Sequence, residues 1–195
     1  MDTSASAPGH AVLLEFDNNF EWLVGARRVV SPNCDERPAG CGIDAVIIHG
    51  ISLPPGRYGG PYIDQLFTNT LEVDAHEYFR GIESLRVSSH LLIDRQGDIT
   101  QYVPFPKRAW HAGESSLGGR GACNDFSIGI ELEGCDDQAY EETQYRRLAE
   151  VVAALQGRWP GIHRDRIVGH CDVAPGRKSD PGPAFDWEYF FRLLD

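Results

Sequence analysis

The chain has 195 residues, 42% of them hydrophobic, which is enough for one domain with a substantial core. It carries 29 acidic against 18 basic residues, a net charge of -11, which argues against nucleic acids and anionic membrane surfaces as partners. No stretch reaches 18 apolar residues, so the sequence predicts no membrane-spanning helix.

Cysteine usage and the N-terminus indicate a compartment. The five cysteines are odd in number and irregularly spaced, which favours a reducing environment over a disulfide framework. Six residues lie between Cys34 and Cys41, the wrong gap for a zinc knuckle. Residues 1–10 lack the charged start and apolar run of a signal peptide. These features together predict a cytoplasmic protein.

The first half of the chain predicts the following elements. Residues 1–20 are expected to form an N-terminal leader that can include an edge strand at 11–16, with the domain proper at 21–195. Residues 31–42, which contain two prolines and two glycines, are predicted as loop. Residues 45–49, Ala-Val-Ile-Ile-His, are typical of a buried central strand that ends on His49.

The middle of the chain alternates between regular and irregular patterns. A short helix is predicted at 63–71, and two apolar runs at 87–93 and 99–103 predict a β-hairpin. Residues 110–125 are polar and glycine-rich and predict a long loop. Residues 126–134 alternate between apolar and polar side chains, as a strand does.

The clearest helix is predicted at 143–159, where apolar residues recur at steps of three and four. A short strand at 166–169 leads into His170, and Asp186 is expected to cap a last helix. Strands that alternate with helices predict a single α/β domain with a central mixed sheet flanked by helices.

The densest group of reactive side chains lies at 169–182, Gly-His-Cys-Asp-Val-Ala-Pro-Gly-Arg-Lys-Ser-Asp-Pro-Gly. Its prolines and glycines place these side chains on a shaped loop. One histidine and one carboxylate cannot hold a catalytic zinc, which takes three protein ligands and keeps an open position. His49, His170 and Asp180 make a two-histidine, one-carboxylate set that suits zinc and leaves room for water.

The spacing leaves other ligand sets open. Cys171 or Asp172 can replace Asp180, and His90 or His111 can replace His49. His49 can also simply terminate its strand with a satisfied hydrogen bond.

Two further side chains fit metal-assisted hydrolysis. Glu131, on the polar face of the strand at 126–134, can move a proton from a water to a leaving amine, and Glu133 on the same face is its natural control. Lys178 can stabilise a developing oxyanion. The alternatives are a solvated strand glutamate and a surface lysine. Trp110 and His111 can form the wall of a sugar or peptide site, although a tryptophan is more often simply packed.

Five segments resemble the zinc-dependent N-acetylmuramoyl-L-alanine amidases, most closely the cytoplasmic branch that acts on 1,6-anhydro-muropeptides in wall recycling. The likeness runs in order from about Trp22 to the C-terminus. The segments are 49–56, 85–90, 108–113, 123–134 and 169–182.

The resemblance implies a central mixed sheet with flanking helices, as in phage-lysozyme-type amidases and peptidoglycan recognition proteins. It implies a Zn²⁺ cofactor, catalytic residues and substrate contacts. Gly50 stands where the family commonly has Asn, which removes a hydrogen bond expected near the substrate. The implied roles are metal binding by His49, His170 and Asp180, catalysis by Glu131 and Lys178, and substrate binding by Arg86 and Trp110.

The implied reaction is hydrolysis of the amide between anhydro-N-acetylmuramic acid and L-alanine of the stem peptide. A monomer acting on anhydro-muropeptide is expected, with no nucleic-acid or membrane partner. Arg86, Arg108 and Arg120 are expected to offset the acidic net charge locally, because screening limits charge effects to about 8–10 Å. The alternatives are an amidase of polymeric peptidoglycan and a non-catalytic binder of wall fragments.

Overall fold

A computed structural model describes residues 14–195, which are built around a mixed sheet. The strands, in chain order, are β1 (Arg27–Arg28), β2 (Cys34–Glu36), β3 (Ala45–Ile51), β4 (Leu91–Ile93), β5 (Ile99–Gln101), β6 (Lys107–Ala109), β7 (Ser116–Leu117), β8 (Arg120–Gly121), β9 (Ser127–Glu133) and β10 (Ile167–Gly169). The central sheet has the order β1-β5-β4-β9-β3-β10. Strands β4, β9, β3 and β10 are mutually parallel, whereas β5 runs antiparallel to β4. The predicted mixed sheet is therefore confirmed.

The two longest strands, β3 and β9, form the middle of this sheet. They pair over their full length, from Ala45 opposite Ser127 to Ile51 opposite Glu133. The sequence predicted that the strand beginning at Ala45 would end on His49, and this prediction was wrong. Pairing with β9 carries β3 two residues past the apolar run, so His49 lies within the strand rather than at its tip.

Within residues 14–195, four α-helices accompany the sheet: α1 (Tyr62–Phe67), α2 (Glu142–Arg158), α3 (His170–Val173) and α4 (Trp187–Leu194). Helix α2 confirms the predicted long helix, and its buried Leu148, Val152 and Leu155 belong to one apolar cluster with Phe190 of α4. The Asp186 carboxylate accepts a hydrogen bond from the Tyr189 backbone N–H at 2.8 Å, which confirms the predicted cap of α4.

The two faces of the sheet have different neighbours. Val46 and Ile48 of β3, with Ile128 and Ile130 of β9, belong to the cluster that includes α2 and α4. Because side chains alternate along a strand, His49 and Glu131 lie on the opposite face. A second apolar cluster, which includes residues of α1, borders that face.

Two predicted loops contain short strands. Within 31–42, β2 pairs antiparallel with β6, although prolines on both sides keep it to three residues. Within 110–125, β7 and β8 form a small antiparallel ladder, followed by a 3-10 turn at Cys123–Asp125. Neither ladder joins the central sheet, which is why no long apolar run marks it in the sequence.

The proposed leader falls largely on residues 1–13, outside the described part of the chain. From Leu14 onwards, Phe16 forms an isolated antiparallel bridge with Leu23. The division into 1–20 and 21–195 stays a prediction. Within residues 14–195, every helix is too short or too polar to cross a bilayer.

Leu148→Ala should destabilise the domain, because Leu148 is fully buried between α2 and the sheet. We expect the free energy of unfolding to fall by about 2–5 kcal/mol, measured by urea denaturation. Arg146→Ala, on the exposed side of the same helix, is the control and should leave the midpoint nearly unchanged. Equal midpoints for both variants would contradict this packing.

Candidate active site and metal centre

The functional side chains meet at the carboxyl ends of three parallel strands. His49 of β3 lies directly opposite Glu131 of β9, and His170 immediately follows β10. Carboxyl ends of parallel strands lie at one edge of a sheet, where open α/β sheets commonly bind ligands. The fold therefore brings together residues that are 121 positions apart in the chain.

His49, His170 and Asp180 form a group that can hold a metal ion. The two Nδ1 atoms lie 2.9 Å apart, and Asp180 Oδ2 lies 3.0 Å from His170 Nδ1 and 3.3 Å from His49 Nδ1. Both imidazoles are almost completely buried, and Asp180 is partly buried. If both Nδ1 atoms carry lone pairs, these three ligand atoms repel one another, and a cation bound between them relieves that repulsion.

The donor set fits zinc. Two imidazole nitrogens and one carboxylate oxygen are common zinc ligands, and tetrahedral ligands about 2.0–2.1 Å from the ion lie roughly 3.3 Å apart. The observed separations are close to that edge length. The three residues thus fit a catalytic zinc site that keeps an open position.

Hydrogen bonds on the outer side of the imidazoles support this reading. His170 Nε2 lies 3.2 Å from the Ala112 carbonyl, which can only accept, so neutral His170 keeps its lone pair on Nδ1. His49 Nε2 lies 2.9 Å from His111 Nδ1. Burial lowers the pKa of His49 to about 4, which keeps this imidazole neutral and able to bind a metal.

The rival ligands take other roles. Asp172 Oδ2 accepts a hydrogen bond from the Gly169 N–H at 2.7 Å, and Cys171 Sγ lies 3.8 Å from Asp172 Oδ1. His90 Nδ1 accepts from the Gly129 N–H. None of these three belongs to the three-residue cluster among the described residues.

Glu131 is buried beside the cluster with one oxygen free. Its side chain is 8% exposed, and Oε2 has no hydrogen-bond partner within residues 14–195. Burial raises the pKa of Glu131 well above its usual value, as does the nearby Asp180 charge, whereas Lys178 lowers it. A buried carboxyl with a raised pKa and an open oxygen is suited to proton transfer.

Glu133 differs from Glu131, although both lie on the same face of β9. Its Oε1 accepts the Gly59 backbone N–H at 2.6 Å. That bond ties the carboxylate to the 59–60 loop, and Glu133 does not line the cavity at the metal cluster. The two glutamates therefore offer a matched pair.

A cavity of about 500 Å³ opens over these groups. Lys178 is exposed and lines it, together with His49, Glu131, His170 and Asp180. Apolar side chains form another part of the wall, with Tyr78 and Leu85 each 44% exposed. The apolar wall consists of Leu53, Pro55, Leu66, Phe67, Tyr78, Ile82, Leu85 and Val87.

Arg86 and Trp110 do not line this cavity. Arg86 is exposed, and its guanidinium donates to the carbonyls of Glu83 and Leu85. Trp110 Nε1 donates to Asp35 Oδ1 at 3.2 Å. Their chain neighbours Leu85, Val87 and His111 do line the cavity, so both residues adjoin its lining along the chain.

The strand position of Gly50 is closely confined. A Cβ there would lie 2.4 Å from Tyr140 Oη, which donates to the Pro181 carbonyl at 2.9 Å. A larger side chain would have to displace this hydroxyl, which adjoins the segment that carries Asp180. The absence of a side chain at position 50 thus leaves space that Tyr140 occupies.

Sequence reasoning missed the supporting roles of His111 and Tyr140. The sequence offers His111 as a replacement ligand or as part of a substrate wall, and its contact with His49 depends on the fold. Tyr140 precedes α2 in an unremarkable polar stretch. A Cβ at Gly50 or at Gly134 would lie within 2.4 Å of a Tyr140 side-chain atom. These two glycines are the only sign in the sequence that a large side chain fills this space.

Comparisons with known proteins agree with this geometry. The model of the N-acetylmuramoyl-L-alanine amidase family matches residues 39–183. The chain is 59% identical over 173 residues to the 1,6-anhydro-N-acetylmuramyl-L-alanine amidase AmpD of Escherichia coli (strain K12), covering 89% of this chain and 94% of that protein.

Solved structures show the same similarity. A crystal structure of a selenomethionine AmpD derivative superposes with a TM-score of 0.89 at 55% identity, covering 93% of this chain and 100% of that one. A complex of the amidase AmiD from E. coli with anhydro-N-acetylmuramic acid-L-Ala-D-gamma-Glu-L-Lys gives 0.58 at 28% identity, covering 81% of this chain and 60% of that one. By its sequence and by its fold, this chain belongs to the N-acetylmuramoyl-L-alanine amidase family.

Proposed function

We propose that this protein is a zinc-dependent amidase that cleaves the amide between 1,6-anhydro-N-acetylmuramic acid and the L-alanine of its stem peptide. The convergence of His49, His170 and Asp180 beside the buried Glu131 carries this proposal. Relatives at 50–59% identity bear the name of that activity. We further propose that the protein acts as a monomer in the cytoplasm, in the recycling of muropeptides.

His49, His170 and Asp180 would hold the zinc ion through Nδ1, Nδ1 and Oδ2. When bound, zinc supplies Lewis-acid polarisation of the substrate carbonyl and lowers the pKa of water to about 7. Burial of both histidines excludes bulk water from that side of the site.

Glu131 is proposed to move the proton. Its unpartnered Oε2 can accept a proton from the attacking water, and the resulting carboxylic acid can deliver that proton to the leaving amine of L-alanine. The raised pKa of Glu131 favours the first of these transfers, because burial stabilises the protonated carboxyl.

Lys178 is proposed to stabilise the oxyanion. Its ammonium lines the same cavity and acts electrostatically on both Glu131 and His49. A cation placed there offsets negative charge that develops on the amide oxygen as the tetrahedral intermediate forms.

Arg86 and Trp110 are proposed as substrate contacts at the cavity border. Arg108 is paired with Asp35 and Asp125, and Arg120 with Asp44. Arg86 is therefore the arginine of the three that is left to meet a stem-peptide carboxylate. Screening by salt should weaken that contact, since Arg86 is exposed.

Removal of the metal should abolish turnover. Treatment with a chelator should stop release of L-alanyl peptide from 1,6-anhydro-N-acetylmuramyl tripeptide, and added Zn²⁺ should restore it, measured by mass spectrometry of the products. His170→Ala should not recover with zinc, whereas the exposed His163→Ala control should behave as wild type.

The same assay separates the alternative functions. Faster release from sacculi than from the soluble anhydro-muropeptide would indicate an amidase of polymeric peptidoglycan. Binding without any cleavage in the zinc-loaded protein would indicate a wall-fragment binder and would overturn the proposed activity.

Glu131→Gln should lower kcat by about 10²–10⁴-fold with zinc retained, because the amide cannot accept the proton. Glu133→Gln keeps an oxygen for the Gly59 N–H and should stay close to wild type. Zinc content by atomic absorption, measured alongside kcat, checks that the loss is chemical. Comparable activity of the two variants would remove Glu131 from the reaction.

Lys178→Met should lower kcat by about 10²-fold and move the acidic limb of kcat/KM to higher pH. A base acts when ionised, so activity is lost as the pH falls through the pKa of Glu131. Lys178 lowers that pKa, and removing its charge must raise it. Lys178→Arg keeps the charge and should keep the limb in place. A limb at the same pH in the methionine variant would show that the lysine does not act on Glu131.

A further inference from the structure

A chain of buried hydrogen bonds leads away from His49 on the side opposite the metal cluster. His49 Nε2 lies 2.9 Å from His111 Nδ1, and His111 Nε2 lies 3.2 Å from Ser127 Oγ. Ser127 Oγ lies 2.6 Å from the Cys123 carbonyl oxygen. Ser127 and Cys123 are fully buried, and His111 nearly so.

The end of this chain fixes its direction. The Cys123 carbonyl can only accept, so the Ser127 hydroxyl must donate to it. Ser127 then has only lone pairs to offer to His111, whose Nε2 must carry the proton. A neutral imidazole has one N–H, so His111 Nδ1 accepts from His49 Nε2–H. His49 is left with its lone pair on Nδ1, facing His170 and Asp180.

The surrounding loop is held in place from two sides. Asn124 Oδ1 accepts the N–H groups of His111 and Ala112 at 3.2 and 2.7 Å. The Arg37 guanidinium donates to the carbonyls of Asn124, Asp125 and Ser127 at 2.9–3.0 Å. The Cys123 carbonyl and the His111 ring are therefore fixed relative to β9.

The His111 ring also needs a glycine beneath it. A Cβ at Gly129 of β9 would lie 2.5–2.8 Å from three atoms of the imidazole. Separations below 3.0 Å would force the ring to move. A substitution at position 129 can thus displace His111 without altering any hydrogen-bonding group.

We propose that His111 and Ser127 are positioning residues that hold His49 in the tautomer whose Nδ1 binds the metal. This inference rests on the proposed function, because it requires a metal at His49. This chain of hydrogen bonds from His49 through His111 to Ser127, the relay, orients His49 before any substrate binds. The relay should therefore affect zinc affinity as well as turnover. Outer partners of metal-bound histidines typically change metal affinity by about 10–100-fold.

Zinc affinity, measured by competition with a chromogenic chelator, tests the proposal. Ser127→Ala should weaken binding about 10-fold, and His111→Leu by up to about 100-fold. His111→Asn should recover much of the loss, because its Oδ1 can take the place of Nδ1 as acceptor. Gly129→Ala should weaken binding although it removes no polar atom.

Ser89→Ala is the matched control. Ser89 is a fully buried serine whose hydroxyl has no partner within the described residues, so its removal should leave zinc affinity unchanged. Thermal unfolding of the zinc-free proteins, monitored by circular dichroism, identifies the folded variants, and only these are compared for zinc affinity.

The outcomes separate this inference from the proposed function. If wild type bound no zinc, or His49→Ala bound it as tightly as wild type, the proposed function would fail. If wild type bound zinc and folded Ser127→Ala, Gly129→Ala and His111→Leu bound it equally well, only the relay would be refuted. If His111→Asn bound zinc no more tightly than His111→Leu, the assigned tautomer would also be refuted.

Discussion

The parallel pairing of β3 with β9 is the constraint on which the site depends. It sets His49 opposite Glu131 and places both on the face away from α2 and α4. A shift of one residue in this pairing would turn one of the two side chains towards the helices. The second histidine follows from β10, which pairs with the other edge of β3. The two candidate histidine ligands and Glu131 are thus positioned by strand pairing, whereas Asp180 comes from the loop between α3 and α4.

Much of this arrangement is visible in the sequence, and the reasons are physical. Long apolar runs such as 45–49 and the periodic residues 143–159 predict buried elements, because burial imposes their patterns. His170 and Asp180 stand out since proline and glycine surround them. The local sequence does not determine which strand a given strand pairs with. The position of His49 opposite Glu131 and the extension of β3 to Ile51 therefore emerge only from the folded structure. The short ladders β2–β6 and β7–β8 leave no comparable signature.

The electrostatics of the site reflect a balance between burial and opposite charge. Burial favours a neutral His49 and a protonated Glu131, whereas Lys178 favours the ionised Glu131 carboxylate. Lys178 is exposed and lines the cavity, whereas Glu131 is buried, which shields a proton on its carboxyl from solvent. Glu131 is thus subject to opposing influences, from its burial and from the Lys178 charge.

The alternation of side chains along β3 and β9 also divides these strands into two groups of positions. Side chains at 46, 48, 128 and 130 fill only the interior shared with the helices. The alternate positions 47, 49, 129 and 131 lie on the other face, which carries the candidate metal cluster and His111. Substitutions on the helix side of the sheet can therefore change stability without touching the groups at the candidate metal site. Laboratory stabilisation of the enzyme would best begin on the helix side of the sheet.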